Sequence, residues 1–145
     1  MKFASIGLLL LVMLSFSAYG KNTGQSVLTQ ASAGNVIALN SAFAKLNSAD
    51  GGNAEDLEIA IGKSIVHSPA HFLSAVKTHR AQLRDVAGLT TNLGEAYVDQ
   101  DSAQKREIKR RISALEQVRD PVLAPTKKEC LGLLRSRLDK LEHGN

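Results

Sequence analysis

The chain has 145 residues, of which 43% are hydrophobic, 22% charged and only 4% aromatic, with a formal net charge of +4. That length suits one domain of ordinary size and can bury a core without staples, while so mild a basic excess does not point to nucleic acid. One cysteine, Cys130, excludes an intramolecular disulfide, and so few aromatic side chains leave little with which to build a stacking platform for sugars or single-stranded nucleic acid.

Residues 1–20 read as a signal peptide. Lys2 supplies a positive start, residues 3–14 are apolar and uncharged, and Ala18-Tyr19-Gly20 places small residues where a signal peptidase needs them. The apolar run is shorter than the roughly 20 residues of a membrane span, and no cysteine near the cut offers a lipid attachment site. Cleavage is expected after Gly20. The mature chain would then be exported, periplasmic or secreted, without stable membrane insertion, and would carry 17 basic against 14 acidic side chains. Residues 21–34 are polar and rich in Gly, Ser, Thr and Asn, and read as a flexible arm with at most one turn around Val27-Leu28.

From Asn35 the pattern is helical. Val36, Leu39, Phe43 and Leu46 share one face, and Asp50-Gly51-Gly52-Asn53 is a turn. Asn53 is the expected cap of a second helix, with Leu57, Ile61 and Ile65 as its stripe. That helix stops before His67, because Ser68-Pro69 suits the cap and first position of the next. Phe72, Val76, His79 and Leu83 form the third stripe, and Val86, Leu89, Leu93 and Tyr97 a fourth, weakened by Gly88 and Gly94. The pattern leaves open whether these are two helices or one bent one.

Residues 101–120 carry the clearest amphipathic helix. Asp101 is its expected cap, with Gln104 completing a box, and Ile108, Ile112 and Leu115 form the inner face. Pro125 is read as a break. Thr126 and Glu129 then open the last helix, where Leu131, Leu134, Leu138 and Leu141 fall on one side and Cys130 and Leu133 widen it. No stretch alternates with period two. The expectation is an all-α fold over residues 35–145: a compact antiparallel or orthogonal bundle of five to six short helices, with a short HEAT-like α-solenoid as the alternative.

Candidate chemistry is sparse. His67 and His71 are four apart, as paired metal ligands are, but Ser68-Pro69 breaks their register and no third ligand stands at a confirming spacing. No metal or cofactor is therefore expected. His79 lies on an apolar face and is a candidate polar site, with Asp85 or Glu95 as partners if the fold brings them close. Cys130 beside Glu129 lacks the adjacent base that an activated thiol needs. No nucleophile elbow or phosphate-binding glycine loop is present.

The remaining feature is a basic ridge. With Ile108 as reference, Arg106 and Arg110 project almost directly away from the inner face. Glu107 and Arg111 can pair on one flank, and Lys109 lies on the other with Glu116 in reach. Arg106, Lys109 and Arg110 are the candidate partner-binding residues, suited to an acidic protein surface or another anionic envelope component. The functional expectation is an exported, non-enzymatic helical binding protein, of the inhibitor or immunity type. The alternatives are a ligand- or metal-binding envelope protein or enzyme using the histidines, and a homo-oligomeric envelope component cross-linked through Cys130.

Overall fold

Most of the described helices pack around one helix that the sequence marks by its isoleucines. The computed structural model describes residues 19–144, and the expected signal peptide lies outside them up to residue 18. Seven α-helices follow in order: α1 (Tyr19–Ser32), α2 (Val36–Leu46), α3 (Gly51–His67), α4 (Pro69–His79), α5 (Val86–Thr91), α6 (Asp101–Glu116) and α7 (Ala124–His143), with short 3₁₀ turns at Arg80–Gln82, Glu95–Tyr97 and Pro121–Leu123. Among the described residues the fold is all-α, with seven helices in place of five or six.

The helix α3 is the hub. Ile61 and Ile65 are fully buried, and α1, α2, α4, α5 and α6 all pack on α3. The last helix, α7, closes the other side against α4, α5 and α6. Contacts of this kind, between elements far apart in the chain, distinguish a compact bundle from a solenoid, in which each repeat touches only its neighbours. The core joins Phe43, Phe72, Leu89, Ile108, Leu115 and Leu134 to the α3 isoleucines. The Phe43 and Phe72 rings meet tilted, with centroids 6.4 Å apart.

Several boundaries follow from the expected chemistry and several do not. Asn35 caps α2 by accepting from the Ala38 N–H at 3.0 Å. Pro69 opens α4 directly after Ser68. By contrast, α3 begins two residues before Asn53, whose side chain donates to Asp50 Oδ1 instead of capping. The third and fourth stripes are two helices, separated by a 3₁₀ turn and the extended Leu83. Pro125 does not break a helix: it sits in the first turn of α7, where its missing N–H costs nothing.

The largest departure is α1. The residues read as a flexible arm are helical to Ser32 and pack on α2 and α3. Ala31 is fully buried there and Leu28 packs against the core. The turn that follows requires Gly34, at φ +81°, because a Cβ in that place would collide with the Ser68 side chain.

Candidate functional site

Helix α6 turns its apolar stripe inward, with Ile108 and Leu115 fully buried and Ile112 partly so. The opposite side of the helix carries Ser102, Arg106, Lys109, Arg110, Ser113 and Gln117, all exposed. The three candidate cations therefore lie together on the outer side of α6, with exposed Glu116 at its edge near Lys109.

Their counter-charges are arranged differently from the sequence expectation. Arg110 does have an acid on its own helix: its Nη1 donates to Glu107 Oε2 at 3.1 Å. Lys109 reaches Glu142 of α7 at 3.0 Å, not Glu116, which pairs with Arg135 at 2.8 Å. Lys109, helped by Lys105 and His143, holds the Glu142 carboxyl below its ordinary range. Arg119 is exposed and off the inner face, because α6 ends at Glu116 and helical projection stops there. Among the described residues Arg106 has no acid within ion-pair distance. Gln104 does not complete a capping box. Its amide donates to the Tyr97 carbonyl at 2.8 Å and accepts from Arg137 at 3.0 Å.

The ridge rests on a group that sequence reasoning placed on the flank. Arg111 is only 1% exposed, and Glu107 is also buried. Arg111 Nη1 donates to the carbonyls of Thr90 (2.8 Å) and Asn92 (3.1 Å), at the end of α5, while Nε faces Glu107 Oε1 at 3.4 Å. The guanidinium thus satisfies carbonyls that a six-residue helix leaves open at its C-terminus and ties α5 to α6. Burial lowers its pKa from the ordinary arginine value, and the charge and hydrogen bond of Glu107 oppose that shift. The available signal was angular: Arg111 lies about 60° from Ile108 around the helix, nearer the inner face than the outer one.

His79 is partly buried, and its ring stacks on Phe43 with centroids 5.5 Å apart and planes 14° from parallel. Its Nδ1 lies 3.4 Å from Gln82 Oε1, and no bond joins it to Asp85 or Glu95. Phe43 and Gln82 line a shallow depression of about 120 Å³, together with Leu83, Arg84, Glu58 and Asp85. Burial raises the Glu58 pKa. A bond from Asn92 opposes the rise, and the charges of Asp85 and Glu55 add to it. His67 and His71 are exposed on successive helices. His71 borders a wider groove of about 520 Å³ with Ser74, Lys77, Asp120 and Val122. Among the described residues no three His, Cys, Asp or Glu side chains gather as metal ligands would.

Cys130 is fully buried on α7, with Thr90 Oγ1 at 3.9 Å from its sulfur. Burial pushes the thiol up to about 11. The buried thiol therefore stays protonated at neutral pH. The chain matches no protein-family model, no curated protein and no solved structure.

Proposed function

We propose that this chain is an exported, non-enzymatic helical binding protein that docks on an acidic protein partner through the outer stripe of α6. The observation that carries the reading is the outer side of α6, which exposes Arg106, Lys109 and Arg110 together, Arg106 with no acid in ion-pair distance among the described residues. A rigid helix that presents cations from one side suits fast, salt-sensitive association with an anionic surface. The buried state of Cys130 supports a binding role over thiol chemistry, and it also disfavours a disulfide-linked oligomer.

Export rests on the sequence of residues 1–20, and N-terminal sequencing of the secreted or periplasmic product should begin at Lys21. Docking is tested by affinity capture from the cell envelope with wild-type protein and with the Arg106→Glu/Arg110→Glu variant. Wild type should retain an acidic protein at low salt and release it as salt rises. The charge-reversed variant, folded by circular dichroism, should not retain it. An identical set of bound proteins for both would remove α6 from the docking surface.

A further inference from the structure

The three cations of the outer stripe are not equally available, and their difference defines what fits them. Lys109 is already paired with Glu142 at 3.0 Å. A partner that takes Lys109 must break that pair, so its net contribution is small. Arg110 gives Nη1 to Glu107, whose other oxygen faces the fully buried Arg111. Glu107 is therefore an anchored counter-ion that fixes the direction of Arg110 while leaving the guanidinium 62% exposed. Ordering an arginine before binding lowers the entropy lost on binding. Arg106, one turn earlier, is exposed and has no internal acid among the described residues.

We infer that α6 recognises an acidic helix presenting two carboxylates one turn apart, with Arg106 as the dominant contact and Arg110 held ready by Glu107. This rests on the reading of α6 as the docking face. Side chains four apart on a helix are separated by roughly 5–6 Å at Cβ, so Arg106 and Arg110 match carboxylates with the same spacing on a helix laid alongside. Carboxylates on one face of an extended strand are spaced more widely, at roughly 6.5–7 Å. The neighbours of the two arginines along the stripe are Ser102 and Ser113, short enough for the ridge of another helix to settle between turns. The planar guanidinium favours a carboxylate over a hydrated headgroup because two parallel hydrogen bonds can form.

Two synthetic helical peptides of identical composition test this on a sensor surface, one with its glutamates four residues apart and one with them two apart. A bilayer of phosphatidylglycerol is the third surface. Wild-type protein should be retained best by the first peptide at low salt. Arg106→Gln should lower that retention about fivefold and Lys109→Gln less than about twofold. Both are exposed positions whose folding is checked by circular dichroism. Equal retention on the two peptides, or a Lys109→Gln loss as large as that of Arg106→Gln, would overturn the inference while leaving α6 as a docking face. Retention by the lipid surface alone would overturn it in favour of headgroup binding. No retention on any surface would reject the docking face itself.

Discussion

Among the described residues Arg111 is the largest side chain that the core encloses completely. A guanidinium cannot shed its proton, so its burial is tolerable only because the Thr90 and Asn92 carbonyls and Glu107 receive it. Removing Arg111 takes the donor from both carbonyls and leaves the buried Glu107 carboxylate with the exposed Arg110 alone, and breaking a buried pair costs about 3–5 kcal/mol. Arg111→Met should therefore destabilise the fold by that order in urea unfolding, and Arg111→Met/Glu107→Leu by clearly less. Equal losses would show that the carbonyl contacts, not the half-paired carboxylate, carry the effect. Cys130 makes a second prediction, through pH. Its thiol ionises at about 11 in the fold, against an ordinary 9.0. The folded state holds that proton more tightly, so the contribution to stability is complete below pH 9 and is lost as pH rises to 11. Two units amount to on the order of 2–3 kcal/mol. Cys130→Ala should flatten the fall in stability across that window, and an unchanged slope would argue against the shift.

At the scale of elements, what the sequence displayed was periodic burial. The stripes of α3, α6 and α7 and the Ser68-Pro69 corner lie where apolar spacing and proline chemistry put them, because burial of large apolar side chains decides those faces. The outward direction of Arg106, Lys109 and Arg110 was legible for the same reason, as the complement of Ile108 and Leu115. Their pairing was not, because Glu142 is brought to Lys109 by the packing of α7 on α6, which no local pattern encodes. Nor was the α3–α5 approach. A Cβ on Gly62 would stand 2.8 Å from the Leu89 carbonyl and 3.0 Å from Arg111 Nη1, so Gly62 exists to let α5 and Arg111 close on α3. Gly132 on α7 has nothing near that point. Gly132→Ala should stabilise by up to about 1 kcal/mol through helix propensity alone. Gly62→Ala should destabilise despite the same propensity gain, and thermal unfolding of the two variants separates the effects.

At the scale of the whole molecule, charge and packing divide the chain differently. Residues 101–143 hold eleven basic and seven acidic side chains, whereas residues 21–100 hold six and seven. The positive end is thus the α6–α7 hairpin, packed on the helices before it. Whether the fold needs α1 is a sharp question, because α1 has almost none of the apolar spacing that marks the others. Its hold is made of small contacts: buried Ala31, part-buried Leu28, and the turn that seats Gly34 against Ser68 at the α3–α4 corner. The Asn35 N–H also donates back to the Gln30 carbonyl, which fixes α2 to the end of α1. If those contacts form part of the core, a chain beginning at Asn35 should lose about 2–4 kcal/mol relative to one beginning at Lys21. Its urea dependence should also be shallower, since less surface would be exposed on unfolding. A chain from Asn35 that unfolds at the same urea concentration and with the same slope would return residues 21–34 to the status of an arm.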